Sequence, residues 1–376
     1  METVVFTFIG IFFIKLIYEK ISLEKARKKI KIAIHVNGIR GKSTVSRLID
    51  AGLRDGKKRV FSKVTGTEPK YIDIDNQEKY IKRIGKANIR EQIKTIKKAA
   101  KCKAEILILE CMAVKPELQK ISEEKIVRAD IGVITNVRYD HLDEMGESLE
   151  EITNSLCNMV PQNGILVTGE KKNLDIIKEK AGLRATKVLS MGELKDEYKE
   201  IDFMENVAVA LKVCECLGVD REIALKRMKK YKKDSGVLKE IKFLNSQGKK
   251  ISFINLLAAN DPDSSEKIIK DFESEELWDR KKYLMVNNRR DRLSRLEQFI
   301  NFVEKHEKNF EKIFISGEST NIFYKKLSKN KNKIEILKNV EQFDIFNEDS
   351  VIFAVGNICG KGKELLKDIE SRGIDE

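Results

Sequence analysis

The stretch Gly38-Ile39-Arg40-Gly41-Lys42-Ser43-Thr44 follows an apolar, β-branched run at residues 30–36 and precedes a helix-like segment at residues 45–53. Backbone N–H groups at the start of a helix can surround a phosphate group. The Lys42 ammonium can then reach the terminal phosphate oxygens, and the Ser43 hydroxyl can hold Mg²⁺. This strand, loop and helix therefore predict a binding site for a nucleoside triphosphate.

The phosphate-loop pattern is present only in its short form, G-x-x-G-K-[ST], because Val36 stands where the full pattern has a further glycine. The alternative is an ordinary strand-to-helix turn that happens to contain glycines. A strand, two glycines, a lysine, the hydroxyl pair Ser43 and Thr44 and a helix, in this order, favour the nucleotide site.

Length and charge limit the classes of protein to consider. With 376 residues the chain is long enough for two domains, since a domain usually has ~100–200 residues. Its formal charge of +13 comes from 73 basic residues interleaved with 60 acidic ones, as on a solvated surface. Neither the aromatic signatures of RNA-binding sheets nor the Cys/His spacing of zinc fingers is present, so nucleic-acid binding is not expected.

Six cysteines are scattered through apolar periodic segments and form no metal-binding pattern with a histidine. We expect reduced, buried thiols and a catalytic core in the cytoplasm. The six are Cys102, Cys111, Cys157, Cys214, Cys216 and Cys359.

The N-terminus differs from the rest of the chain in being almost entirely apolar. Residues 4–14 carry no charge, Lys15 and a further apolar segment follow, and a basic run extends to Lys31. The apolar stretch is shorter than the ~20 residues of a spanning helix, although Lys15 can reach the headgroups from within it. Residues 1–29 are predicted to be a membrane anchor, spanning or in plane, with the basic flank on the cytoplasmic side. A buried helix of the soluble domain is the alternative.

Strands alternate with helices along the rest of the chain. Apolar, β-branched runs predict strands at residues 59–64, 104–110, 131–136, 164–169, 186–190, 250–255, 281–287, 312–315 and 351–355. Further segments predict helices at residues 89–101, 202–217 and 221–231. This order is typical of an α/β fold with parallel sheets covered by helices on both faces. We predict a nucleotide-binding domain at residues 30–236 and a smaller α/β domain at residues 237–376.

Polar residues end several of these strands. Glu110 and Asn136 end two of them, and the phosphate loop follows a third. Because ligands bind at the carboxyl ends of parallel strands, we expect the three to converge. A carboxylate such as Glu110 facing a phosphate loop can hold Mg²⁺, since this hard cation takes oxygen ligands and bridges phosphate oxygens.

The segment Asn136-Val-Arg-Tyr-Asp-His-Leu-Asp143 concentrates polar side chains after a strand. His141 is one of only three histidines in the chain and lies between Asp140 and Asp143. An imidazole beside carboxylates at a strand end indicates catalytic chemistry. The alternative is structural, with Asp140 capping a helix that begins at Leu142.

Taken together, these motifs resemble the Mur ligase superfamily. The same order is found there for the phosphate loop, Glu110, residues 136–146, Glu205-Asn206, residues 260–264, and residues 355–357 with Gly360 and Gly362. The resemblance extends from residue 31 to the C-terminus. It implies a P-loop-type parallel-sheet ATPase domain followed by a Rossmann-like domain. In that superfamily ATP phosphorylates an acid to an acyl phosphate, which an amine attacks to form an amide.

Within the superfamily the chain is most similar to the ligase subunits of poly-γ-glutamate synthases. The nucleotide-sugar domain that opens other Mur ligases is missing, and the hydrophobic segment stands in its place. Arg40 replaces the asparagine of the Mur phosphate loop, and residues 65–67, 85–91, 110–113 and 136–143 look like variants of those subunits. The resemblance implies glutamate and a growing poly-γ-glutamate chain as substrates. It also implies a small integral-membrane synthase subunit as partner at the cell membrane, and a homo-oligomer is compatible with it.

The resemblance further implies roles for individual residues. Lys42 would hold the β- and γ-phosphates of ATP, and Ser43 and Glu110 would ligate Mg²⁺. His141 would contact a second metal or the acyl phosphate, and Asn206 would approach the adenine. The residues implied to be catalytic are Lys42, Glu110 and His141. Those implied to bind the nucleotide are Gly38, Arg40, Gly41, Lys42, Ser43, Thr44, Asn136 and Asn206.

One departure from the superfamily concerns the second metal. Mur ligases carry a carbamylated lysine a short distance after the motif histidine, whereas no lysine occurs here between Gly146 and Lys171. The second metal site is therefore missing or built differently.

Recognition of an acidic substrate calls for cations, because guanidinium groups bind carboxylates bidentately. Arg289, Arg290 and Arg292 follow the predicted strand end at Asn287. The full set of candidates is Thr65, Thr67, Arg90, Arg138, Arg289, Arg290 and Arg292, together with Arg40 and Lys86.

Two other functions are compatible with the sequence. One is a Mur-type ligase with a soluble substrate, such as a folate-polyglutamating enzyme, and the hydrophobic N-terminus disfavours it. The other is a nucleotide-switched membrane scaffold without bond-forming chemistry, which His141 and its neighbouring aspartates disfavour.

Overall fold

The structure is a computed structural model that describes residues 2–66, 69–83, 87–233, 239–257, 262–289, 293–318, 320–327, 331–358 and 360–374. The chain divides into two compact units, unit 1 up to Lys233 and unit 2 beyond it. The domain boundary predicted at residue 236 lies outside the described residues.

Unit 1 contains a predominantly parallel sheet whose described strands have the order β4-β3-β2-β5-β1-β6-β7-β8. The strands are β1 (Ile32–Asn37), β2 (Val60–Val64), β3 (Lys70–Ile72), β4 (Glu78–Tyr80), β5 (Ile106–Glu110), β6 (Ile131–Ile134), β7 (Ile165–Thr168) and β8 (Lys187–Ser190). Among these strands only the pairings of β3, with β2 and with β4, are antiparallel. The predicted parallel sheet is thus confirmed, and the sequence analysis missed the short β3–β4 hairpin.

Helices cover both faces of this sheet. They are α1 (Glu2–Arg27), α2 (Lys42–Leu53), α3 (Arg90–Lys101), α4 (Pro116–Ile121), α5 (Leu142–Met145), α6 (Leu149–Leu156), α7 (Leu174–Gly182), α8 (Met204–Cys216) and α9 (Arg221–Met228), with a π-helical turn at Ser122–Val127. Strand β5 shows why both faces must be covered, because its side chains alternate between two cores. Ile106 and Ile108 pack with α2, α8 and α9, whereas Leu107 and Leu109 pack with α1 and α3.

Helix α1 joins unit 1 only through its last turns. Leu23 and Ala26 are buried against α3, and Arg27 forms an ion pair with Asp130. The apolar side chains between residues 4 and 18 are exposed, Phe8 by 69%. Across the described residues, no helix combines the length and the apolar character needed to cross a bilayer. The anchor predicted for residues 1–29 therefore gains no support from the fold and stays a prediction.

Unit 2 is built on a second sheet with the described strand order β13-β12-β11-β14-β10-β9. Its strands are β9 (Lys239–Leu244), β10 (Lys250–Asn255), β11 (Lys281–Asn288), β12 (Lys312–Gly317), β13 (Ile334–Ile336) and β14 (Ser350–Gly356). Its helices are α10 (Pro262–Asp271), α11 (Leu293–His306), α12 (Thr320–Lys326) and α13 (Lys361–Arg372). The described pairings are parallel except for the edge strand β9, which the sequence analysis missed together with β13.

The five described cysteines are free thiols, as predicted. Cys111, Cys157 and Cys214 are buried as expected, whereas Cys102 and Cys216 are only partly buried. Cys359 lies outside the described residues.

Candidate active site

The loop between β1 and α2 has the backbone of an anion-binding turn. Gly38 has φ 128° and Gly41 has φ 76°. A Cβ atom on Gly38 would lie 2.1 Å from Thr135 Oγ1, so a side chain does not fit there. No side chain caps the start of α2, which begins at Lys42. Its first N–H groups are therefore available to a phosphate.

The Lys42 side chain curls back over this loop. Its Nζ donates to Gly38 O at 2.7 Å and to Ile39 O at 3.1 Å. The pKa of Lys42 is lowered, because burial disfavours the ammonium more than the nearby Glu110 carboxylate favours it. The ammonium is thus positioned at the mouth of the loop, where phosphate oxygens could replace the two carbonyl acceptors.

A carboxylate and a hydroxyl meet beside the loop, as the strand-end argument predicts. Ser43 Oγ donates to Glu110 Oε2 at 2.8 Å, and the Thr65 backbone N–H donates to the same oxygen. Glu110 is only 3% exposed, and Gln92 Nε2 holds its backbone carbonyl at 3.0 Å. Two hard oxygen donors next to a phosphate loop suit Mg²⁺, which Ser43 and Glu110 would hold. No group of three or more acidic, histidine or cysteine side chains in the described part of the chain forms a metal site.

Asn136 holds the middle of the phosphate loop. Its Oδ1 accepts from Arg40 N at 3.0 Å, and its Nδ2 donates to Arg40 O at 3.1 Å. The Arg40 guanidinium in turn lies 3.0 Å from Asp140 Oδ2, with both side chains largely buried. The two sequence motifs are therefore joined by hydrogen bonds from the Asn136 side chain to the Arg40 backbone and by an ion pair.

His141 begins the short helix α5 in a left-handed conformation with φ 54°. Its Nε2 lies 3.8 Å from Asp140 Oδ2, and its Nδ1 lies 3.9 Å from Glu144 Oε2. A non-glycine residue with positive φ costs about 1–3 kcal/mol, and such strain concentrates at functional sites. The helix starts at Leu142 as the structural alternative requires, but its N-cap is His141, so Asp140 is not the N-cap. The role of His141 toward a metal or an acyl phosphate stays a prediction.

Asn206 lies against the other end of the loop. A Cβ atom on Gly41 would fall 2.4 Å from Asn206 Oδ1, so glycine is needed for this close approach. The Asn206 Nδ2 donates to Asp202 Oδ1 at 3.3 Å. Helix α8 thereby brings a carboxamide to the phosphate loop, and its contact with adenine stays a prediction.

Comparison with known proteins places this chain in a family. Residues 36–225 match the Mur ligase middle domain, and residues 241–372 match the poly-gamma-glutamate synthase CapB C-terminal domain. The capsule biosynthesis protein CapB of Bacillus anthracis is 35% identical over 95% of this chain and 80% of its own length. The PGA synthase CapB of Bacillus subtilis strain 168 is 33% identical over 96% of this chain and 95% of its own length. The chain belongs to the CapB family of Mur ligases. It is therefore an ATP-dependent amide ligase.

Solved structures agree with this fold. A bifunctional folylpolyglutamate synthase/dihydrofolate synthase from Yersinia pestis, complexed with AMPPNP and a Mn ion, superposes with a TM-score of 0.68 at 13% identity, covering 93% of both chains. MurF from Acinetobacter baumannii superposes with a TM-score of 0.66 at 13% identity, covering 94% of this chain and 79% of MurF. At these identities the likeness concerns the fold alone.

Besides Arg40, the structure describes four of the predicted substrate residues of this CapB-family chain, Arg90, Arg138, Arg289 and Thr65. Arg90 begins α3 and pairs with Glu19 of α1, and its side chain is 59% exposed. Arg138 is exposed beside the His141 segment, and Arg289 follows the end of β11 in unit 2. Thr65 contributes its backbone to Glu110. Their substrate roles stay predictions. Thr67, Lys86, Arg290 and Arg292 lie outside the described residues, as does Asn260 of the motif at residues 260–264.

A buried ion pair beneath the loop escaped the sequence analysis. His35 Nδ1 lies 2.7 Å from Glu123 Oε2, and both residues are at most 2% exposed. Burial acts to lower the pKa of His35, but hydrogen bonds and charges of Cys111 and Glu123 outweigh it and raise that pKa from 6.5 to about 9. Glu123 reaches this position from the π-helical turn, a register that no sequence period indicates.

Two further residues that the sequence analysis did not identify, Lys63 and Glu170, contact residues of the site. Lys63 of β2 is fully buried, with Nζ 3.3 Å from both Gln92 Oε1 and Glu91 Oε2, and burial lowers its pKa. Glu170 follows β7 and accepts from the Val137 N–H at 2.9 Å, which fixes the start of the His141 segment. The position of Glu170 at a strand end was the available signal, since polar residues at such ends face the ligand edge.

Proposed function

We propose that this CapB-family chain activates the γ-carboxylate of glutamate as an acyl phosphate and joins it to the amine of another glutamate. The product would be poly-γ-glutamate. The observation that carries the proposal is the Ser43–Glu110 pair at 2.8 Å beside the phosphate loop, in a chain whose relatives are a capsule biosynthesis protein and a PGA synthase.

The charge distribution of the site fits phosphoryl transfer to a carboxylate. The Lys42 ammonium and the uncapped start of α2 would bind the phosphates, and Ser43 and Glu110 would hold Mg²⁺. The ion would neutralise charge on the transferring phosphoryl group. The γ-carboxylate oxygen attacks the γ-phosphorus of ATP, and ADP leaves. The neutral amine of the second glutamate then attacks the acyl carbon, inorganic phosphate leaves, and the amine proton passes to a base.

The function test uses the purified full chain with ATP, Mg²⁺ and glutamate, alone and with vesicles that contain the small membrane subunit. We expect phosphate release that depends on glutamate and a product that lengthens with time. A parallel reaction with a pteroate substrate serves as the matched control. If the pteroate stimulated phosphate release and glutamate did not, with or without the subunit, the proposal of poly-γ-glutamate synthesis would be wrong. The chain would then be a ligase for a soluble substrate.

We also propose that α1 attaches the chain to the cytoplasmic face of the cell membrane, where the membrane subunit resides. A continuous exposed apolar surface on a helix is costly in water and is stabilised by contact with lipid or an apolar partner. Phe6, Phe8 and Phe12 are each more than half exposed, and a basic segment follows.

The membrane proposal is tested by flotation with anionic lipid vesicles. The double variant Phe8→Ser with Phe12→Ser should leave most of the protein unbound. Tyr80→Ser is the matched control, because Tyr80 is an exposed aromatic residue on β4 outside α1. Equal flotation of all three proteins would exclude α1 as the attachment site.

A further inference from the structure

The Asn206 carboxamide has a carboxylate behind it that fixes its orientation. Asn206 Nδ2 donates to Asp202 Oδ1 at 3.3 Å. An ionised carboxylate can only accept hydrogen bonds, so the amino end of the carboxamide must face Asp202. The carbonyl oxygen Oδ1 therefore points the other way, toward Gly41 at the start of α2.

Asp202 is itself held in place by two donors. The Tyr231 hydroxyl donates to Asp202 Oδ2, and the Phe203 N–H donates to Oδ1 at 2.9 Å. Burial, followed by the charge and the hydrogen bond of Asp202, raises the pKa of Tyr231, so the phenol stays a donor. Tyr231 packs against the apolar core of unit 1.

The chain just after Tyr231 is anchored as well. The carbonyl oxygen of Lys232 accepts from Arg47 Nη1 at 3.4 Å, and Arg47 belongs to α2, the helix that follows the phosphate loop. Tyr231 is therefore fixed on both sides, by packing and by this backbone contact.

We propose that Asp202, held by Tyr231, sets the orientation of the Asn206 carboxamide and through it the preference of the site for adenine over guanine nucleotides. The proposal rests on the ATP site proposed above and on the predicted contact of Asn206 with the base. With Oδ1 turned away from Asp202, Asn206 offers an acceptor. Adenine presents an amino donor at the position where guanine presents a carbonyl acceptor. Two acceptors cannot pair, and a site built for a donor rejects the analogue that lacks it.

The test measures equilibrium binding of AMPPNP and GMPPNP to the full chain. Asp202→Asn keeps the shape of the side chain but can present an amino group, which permits the Asn206 carboxamide to turn over. We expect the ratio of adenine to guanine nucleotide affinity to fall about tenfold, the effect of one misplaced hydrogen bond. Tyr231→Phe should lower the ratio less, and neither variant should change it when combined with Asn206→Ala.

Tyr198→Phe is the matched control. Tyr198 is a buried tyrosine of the same unit whose hydroxyl accepts from Arg221 and has no side-chain hydrogen bond to Asp202 or Asn206. It should leave the ratio unchanged even if stability falls.

An equal loss of affinity for both nucleotides in Asp202→Asn, or no loss, would overturn the proposal, since a merely structural role acts on both alike. A wild-type chain that binds neither nucleotide would overturn this proposal and the proposed function together. Selective binding of AMPPNP without glutamate-dependent phosphate release from ATP would contradict the proposed function alone, and the affinity ratios would still decide the present assignment.

Discussion

Lys42 and Glu110 bring opposite charges to one corner of unit 1, and each has a structural partner there. Lys42 is bound by loop carbonyls, while Glu110 accepts from Ser43 and from the Thr65 N–H. These hydrogen bonds keep both side chains in place before a nucleotide binds, which reduces the ordering cost of binding. The residues of the site are thus preorganised by short contacts within one unit.

Replacing Lys42 by Ala should abolish ATP-dependent amide formation while leaving the fold intact. Loss of one preorganised donor that stabilises the transition state lowers the rate by on the order of 10²–10³-fold. Steady-state phosphate release with glutamate measures the effect, and circular dichroism checks the fold. Lys29→Ala, at an exposed lysine, is the matched control. Activity within a few-fold of wild type would remove Lys42 from the phosphate site.

Glu110→Gln should raise the Mg²⁺ concentration needed for half-maximal activity. The neutral amide keeps the shape of the side chain and one oxygen but loses the charge that a hard divalent cation prefers. A magnesium titration of phosphate release measures the shift, with Glu105→Gln at the start of the same strand region as control. An unchanged magnesium requirement would make Glu110 a structural residue only.

The His35–Glu123 pair should make stability depend on pH. Because the pKa of His35 is raised from 6.5 to about 9 on folding, its contribution is complete below pH 6.5 and is lost as the pH rises through about 9. Glu123→Gln should cost about 3–5 kcal/mol at neutral pH and should flatten this dependence, since it breaks a buried pair. Urea unfolding at pH 6.5 and at pH 9 measures both. If the free energy of unfolding changed equally with pH in the wild type and the variant, the raised pKa of His35 could not be assigned to its pairing with Glu123.

At the scale of elements, the turn between β1 and α2 depends on one position more than on the others. Gly38 faces Thr135 of the neighbouring strand end so closely that no Cβ fits, whereas Gly56 has positive φ but open space around its Cβ position. Comparing an alanine substitution at each of these two glycines therefore separates the effect of backbone strain from the effect of a steric clash.

Gly38→Ala should destabilise unit 1 and abolish nucleotide binding, because the Cβ would displace β6 from the loop. Gly56→Ala, the control, should cost only the strain of a positive φ, about 1 kcal/mol, and leave binding intact. Thermal unfolding and AMPPNP affinity measure the two effects. A Gly38→Ala variant with wild-type affinity would show that the loop can rearrange.

Elements with a strong apolar period were predictable from sequence, and short ones with a weak period were not. Strands such as β5 and β14 are buried on both faces and have nearly continuous apolar sequences. Strands β3, β4 and β13 have three residues each, too few to show any period. The antiparallel edge strand β9 carries charges at Lys239, Glu240 and Lys242, which hide its apolar alternation.

At the scale of the whole molecule, the phosphate loop, the Ser43–Glu110 pair and the Asn206 carboxamide all belong to unit 1. Each unit has its own apolar clusters. A shortened chain that ends at Lys233 should therefore fold and bind AMPPNP, but we expect it to form no amide, because the predicted substrate residue Arg289 belongs to unit 2. Calorimetry and the phosphate assay test this. Loss of AMPPNP binding in a folded unit 1 would show that unit 2 contributes to nucleotide affinity.

The sequence by itself determined the fold class, the phosphate loop and the convergence of Glu110 with it. These depend on local periods, on glycine at special positions and on the rule that strand ends share one edge. Only the tertiary structure decided that Asn136 binds the Arg40 backbone, that His35 pairs with Glu123, and that Tyr231 holds Asp202 behind Asn206. These contacts join residues far apart in the chain, and their geometry follows from packing, for which a single sequence carries no periodic signal.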